Sequence, residues 1–125
     1  MFGFDRITGK RIYVSGDPNV WLVYHEQRHR IVSPEVYDAL FSEIEGLVEF
    51  PALNEIPIGY ELGVGTCLVQ AEGEIARYLL VDTPEGVRRL HISTWNVWEI
   101  FSFSENSLQK VSPLLLKNVK EGACL

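Results

Sequence analysis

Arg28-His29-Arg30-Ile31-Val32-Ser33-Pro34-Glu35-Val36-Tyr37-Asp38-Ala39-Leu40-Phe41 is echoed further along the chain by Arg88-Arg89-Leu90-His91-Ile92-Ser93-Thr94-Trp95-Asn96-Val97-Trp98-Glu99-Ile100-Phe101. In both stretches a basic, strand-like run leads to a serine, and an apolar pattern at helical spacing then ends on phenylalanine. Serine can accept a hydrogen bond from an early helical N–H, proline fits a first turn, and glutamate suits the positive helix end. Val36, Tyr37, Leu40, Phe41 and Ile44 form one apolar stripe. The spacing predicts two short helices, capped by Ser33 and Ser93.

The match extends outwards. It pairs Val14 with Val69, Leu22 with Leu79, Arg28 with Arg88, Val48 with Val111, Leu53 with Leu116, Ile56 with Val119 and Gly59 with Gly122. The offset grows from 55 to 57, 60 and 63 along these pairs, and each step falls where a turn belongs, the place that tolerates insertions. This pattern predicts an α+β fold of two tandem βββαβ-like repeats with antiparallel sheets, packed as one compact domain. Residues 1–62 would hold an N-terminal hairpin and the first repeat, and residues 63–125 the second. Phe2 and Phe4 would open the hairpin, which turns at Thr8-Gly9-Lys10. Val20–Tyr24 reads as a strand buried on both faces. Gly59–Gly65, with three glycines, is the joint between halves. Leu22, Ile31, Leu40, Phe41, Leu79, Ile92, Ile100 and Phe101 are the expected core.

Composition is that of an ordinary globular chain: 125 residues, 46% hydrophobic and 22% charged, which argues against disorder. The apolar runs are far too short for a membrane span. The opening Met1-Phe2-Gly3-Phe4-Asp5-Arg6 has no basic segment followed by an apolar one, so no signal peptide is expected. This points to the cytoplasm or to a particle assembled there. The net charge of −6 disfavours nonspecific binding to nucleic acid and fits an acidic decoy for a basic partner. Cys67 and Cys124 share no metal-type spacing, and Cys67 reads as a small core residue.

Catalytic groups do not assemble in the sequence. His25 and His29 lie four apart in a turn and strand, where that spacing shares no helical face, and no cysteine or carboxylate completes a metal set. These histidines read as surface residues. No G-x-S-x-G elbow is present. Neither a metal nor a cofactor is expected, and the chain reads as a non-enzyme. Two groups stand out as partner-binding candidates. Arg28 and Arg30, echoed by Arg88 and Arg89, would either face a common protein partner or form a solvated, acid-balanced strand face. Trp95 and Trp98 stand where the first helix carries Glu35 and Asp38, off its buried stripe. They would either meet a partner, as tryptophan often does at binding hot spots, or pack beneath the other repeat or the N-terminal hairpin.

Trp21-Leu22-Val23, Arg28–Ser33, Phe41, Val48, Leu53 and Ile56-Pro57-Ile58-Gly59 together resemble a short tandem repeat of bacterial surface and secreted proteins. Tyr78-Leu79-Leu80, Arg88-Arg89, Ile92-Ser93, Phe101, Val111, Leu116 and Val119-Lys120-Glu121-Gly122 repeat the pattern without the proline before the last glycine. The resemblance implies a noncatalytic binding or spacer module, such as a structural component of a phage particle or another large complex. The expectation is thus a virion-type or other assembly module that binds protein neighbours or itself. The alternative is an acidic inhibitor or immunity-type protein.

Overall fold

The computed structural model describes residues 6–44 and 46–125. Strands β1 (Arg11–Tyr13), β2 (Val20–Tyr24) and β3 (Gln27–Ile31) precede helix α1 (Pro34–Leu40) and strand β4 (Leu47–Glu49), with a 3-10 turn at Leu53–Glu55. The second half gives β5 (Cys67–Ala71), β6 (Arg77–Thr83), β7 (Gly86–His91), α2 (Trp95–Phe101) and β8 (Leu108–Val111). It ends with α3 (Pro113–Leu116) and β9 (Lys120–Glu121).

The first sheet has the order β3-β2-β1-β4 and the second β8-β5-β6-β7-β9. In the first half the returning chain lies beside β3 through bridges Arg28–Ile58 and Ile31–Leu62, the place that β9 takes beside β7. Both halves therefore follow one strand order. The three-strand meander of each is antiparallel. The strand after each helix lands on the far side of the meander and pairs in parallel, β4 with β1 and β8 with β5, because the helix supplies the crossover that a parallel pair needs. Each sheet is mixed rather than purely antiparallel.

Pairing fixes the correspondence between halves. Ile12 lies opposite Trp21 as Val69 lies opposite Tyr78, so Val69 answers Ile12 and not Val14. The first hairpin closes at Tyr24 and Gln27, whereas the second runs two pairs further, to Thr83 and Gly86. That extension moves the register ahead, so Arg28 corresponds to Arg89 rather than Arg88. Arg28 N–H bonds Pro57 O and Gly59 N–H bonds Arg28 O, and Gly122 N–H bonds Arg89 O in the same way. Gly59 and Gly122 are needed for space. A Cβ on Gly59 would sit 2.5 Å from His29 Cε1, and one on Gly122 2.7 Å from Leu90 Cδ2.

The helices share this shift. Ser33 Oγ accepts from Val36 N–H at 3.4 Å and caps α1, but α2 is capped by Thr94, whose Oγ1 accepts from Val97 N–H at 3.1 Å. Ser93 instead donates to Leu125 O at 3.0 Å. Cap aligned to cap, Tyr37 corresponds to Trp98 and Leu40 to Phe101, while exposed Glu35 and Asp38 correspond to exposed Asn96 and Glu99.

One core lies between the sheets, built from Leu22, Tyr24, Ile31, Leu40 and Phe41 of the first half and Leu79, Val81, Ile92, Trp98 and Phe101 of the second. The outer faces are closed locally. Leu53 and Ile56 cover Ile12, Trp21 and Val23, and Leu116 covers Val69 and Tyr78. Seven of the eight expected core residues are buried. Ile100 is not: it is 44% exposed, because the α2 cap shift turns that position out of the stripe. The hairpin expected at Phe2 and Phe4 lies outside the described residues. Its expected second strand, β1, pairs instead with β2 and β4.

Candidate functional site

Thr94 starts α2 so that Trp95 and Trp98 fall on one side of the helix, three residues apart. Trp98 is only 4% exposed and reaches the shared core, edge-on to Phe103. Trp95 is 58% exposed, with its ring nearly parallel to Trp98 at 6.4 Å between centroids. The Arg77 guanidinium, at the start of β6, lies 4.5 Å from the Trp98 centroid and 5.6 Å from that of Trp95. Glu105 holds this guanidinium as a bidentate pair, accepting from Nη1 at 2.6 Å and from Nη2 at 3.2 Å. The result is a fixed aromatic wall with one indole face open.

This wall borders a cavity of about 360 Å³ that runs along the start of β6 and the first turn of α2. Ile75, 93% exposed, stands at its rim. Gln70 lies on its wall, largely buried. Its Nε2 donates to Glu74 O and Ile75 O, while its Oε1 is buried with no donor among the described residues. The first half carries the corresponding cavity, about 460 Å³, with Val20, Pro34 and Tyr37 in the places of Arg77, Trp95 and Trp98. There the Tyr37 hydroxyl donates to Glu43 O and Arg11 donates to the hydroxyl, so this ring is tied to its own half.

The contrast between the two helices at the tryptophans therefore has a different source. They replace Pro34 and Tyr37, not Glu35 and Asp38. Trp98 belongs to the buried stripe, and the departure from the first half rests on Trp95.

The arginines are dispersed. Arg28 is buried on the outer face of the first sheet, stacked 4.3 Å over Trp21, with Nε donating to Ile56 O at 2.9 Å. Arg30 pairs with Glu61 at 2.6 Å. Arg89 repeats the Arg28 arrangement: it lies 4.8 Å over Tyr78, donates to Val119 O at 2.8 Å and approaches Glu121 at 3.5 Å. Arg88 sits on the opposite strand face from Arg89, next to the cleft between the two hairpins. The structure brings Arg28 and Arg30 onto one strand face, as alternation requires, but places Arg88 apart from Arg89.

His29, read from sequence as a surface residue, is fully buried. It stacks on Tyr24 at 4.0 Å, with Nδ1 2.8 Å from Tyr60 O and Nε2 3.3 Å from Tyr24 O. Burial holds its pKa below the ordinary 6.5 despite these two carbonyls. Burial also raises the pKa values of Tyr24 and Tyr60, whose hydroxyls bond at 2.8 Å, and of the Cys67 thiol. No signal in the sequence separates this histidine from its basic neighbours, because β3 is covered on both faces and alternation alone does not then tell an inward from an outward position. Among the described residues no group of three or more His, Cys, Asp or Glu side chains could hold a metal ion, and no helix is long and apolar enough to cross a membrane.

No protein-family model and no solved structure matches the chain. It is similar to the ribosome biogenesis protein ERB1 of Saccharomyces cerevisiae (strain YJM789), with 32% identity over 93 residues. The similar stretch is 66% of this chain and 12% of that protein, so the chain spans a small part of its relative.

Proposed function

We propose that this chain is a noncatalytic binding module that takes part in a larger protein assembly and docks through the groove beside Trp95. The observation that carries the reading is the half-exposed Trp95 ring, held flat by Trp98 and Arg77. An aromatic side chain that is already immobilised loses little further freedom on binding, which favours it as an anchor. Ile75 adds exposed apolar surface at the rim, and the donorless Gln70 Oε1 offers a partner one hydrogen bond. Similarity to a protein of ribosome biogenesis supports a role in assembling a large complex. A phage particle, suggested by the repeat pattern, is another complex of that kind.

The test is the native mass of the complex carried by the tagged full chain in its source cells, with and without Trp95→Asp, at low and high salt. The reading expects a complex that survives salt and is lost in Trp95→Asp, while the melting temperature of the isolated chain stays within about 2 °C, as for an exposed substitution. A complex that dissolves in salt but ignores Trp95→Asp would favour an acidic decoy, the other role open to a chain of net charge −6.

A further inference from the structure

A third cavity, about 490 Å³ and largely polar, lies where the two halves meet. Gly59 and Gly122, corresponding residues of the two halves, both line it, so it straddles the axis that would relate one half to the other. Its remaining walls are not symmetric. The two-pair extension of the β6–β7 hairpin supplies Glu85 on one side, and the shorter β2–β3 hairpin supplies His25 on the other.

Three features mark this cleft. The first is Arg88. Arg30, Arg77 and Arg89 each pair with a carboxylate, whereas no carboxylate lies within ion-pair distance of Arg88 among the described residues. Its Nη1 and Nη2 each donate to a carbonyl of its own hairpin, Val87 O at 2.9 Å and Glu85 O at 3.0 Å, which fixes the guanidinium and leaves its other N–H groups to spare. The second is Tyr60. Its hydroxyl accepts from Tyr24 at 2.8 Å and keeps its own proton to donate. The third is the turn that carries His25. His25 and Glu26 hold φ of 49° and 62°, a left-handed pair that such hairpins normally fill with asparagine and glycine. His25 Nε2 meets Cys124 O at 2.9 Å, which ties this turn to the far end of the second half. Residues kept in an unfavourable backbone region cluster at binding sites, where position matters more than local ease.

We propose that this cleft binds a small molecule through a carboxylate or phosphate group held between Arg88 and the Tyr60 hydroxyl. An oxyanion is the group that an unpaired guanidinium and a phenolic donor jointly recognise. Glu85, on the same wall, opposes an anion and so limits its affinity. The site is separate from the Trp95 groove and stands or falls independently of it.

The experiment follows amide shifts of the intact ¹⁵N-labelled chain during titration with sodium phosphate and, separately, with sodium acetate, at constant ionic strength. The expected result is saturable change confined to residues around His25, Tyr60, Glu85 and Gly122. Saturation by phosphate alone assigns a phosphate ligand, and saturation by acetate alone a carboxylate. Arg88→Gln should weaken binding about tenfold or more, the scale of one hydrogen bond to a charged group. Glu85→Gln, an exposed change that leaves the fold untouched, should tighten it. Shifts that never saturate with either salt, or an affinity unmoved by both substitutions, would overturn the proposal.

Discussion

His29 occupies the place that Leu90 fills in the second half, and this single difference gives the two halves different responses to acid. Nδ1 makes the shorter contact, to Tyr60 O, which favours the neutral form that carries its proton there. Because burial lowers the pKa of the folded state, the unfolded chain binds the extra proton first as pH falls. The contribution of His29 to stability is complete above about pH 6.5 and is lost progressively below it. Urea unfolding between about pH 5 and 7.5 should therefore show a decline towards acid that is shallower in His29→Leu. An equal slope in the two proteins would mean that the ring is not held neutral. The sequence marked His29 only as a member of a basic run. What it could not show is that Pro57–Tyr60 returns over the outer edge of β3 and seals that strand from both sides. Gly59 and Gly122 were legible as a repeated pair, and the close approach to His29 and Leu90 gives that repetition its physical reason.

Elements were legible in kind and order, and less so in register. The turn at Thr83-Pro84-Glu85-Gly86, the strand Leu108–Val111 and the Ser112-Pro113 helix start all carry strong local signals, and the structure has them there. The register of α2 is not legible in the sequence, because identical serines are a more visible match than chemically equivalent caps. Threonine caps as serine does, so the true partner of Ser33 is Thr94. The consequence is measurable. Thr94→Ala should cost about 0.5–2 kcal/mol, the usual range for a lost N-cap. Ser93→Ala removes only an exposed bond to Leu125 O and should cost less. Calorimetric melting of the two variants decides between the caps, and a larger loss in Ser93→Ala would make Ser93 the counterpart of Ser33. The hairpin extension was hidden for a related reason. Four added residues divided evenly between two paired strands keep both faces in phase, so no break in alternation betrays them.

For the whole molecule, the α+β architecture and the matching strand order were within reach of the sequence, because two weak patterns in the same order constrain each other. The way the halves combine was not. Leu22 and Leu79, corresponding residues of the two halves, meet in one core, and neither sheet has a closed inner face without the other. Unfolding should therefore be one cooperative transition, with fluorescence and far-ultraviolet circular dichroism giving coincident midpoints. Two separated transitions would show that each half folds alone. The proposed docking role depends on the one tryptophan that this core leaves uncovered. Of the three tryptophans, Trp21 and Trp98 are buried and Trp95 is open. Hydroxyl-radical labelling, read residue by residue by mass spectrometry on the free chain and on its native complex, tests that role most directly. The account predicts strong labelling of Trp95 in the free chain, protection of Trp95 in the complex, and little labelling of Trp21 or Trp98 in either. Equal labelling of Trp95 in the free chain and in the complex would contradict it.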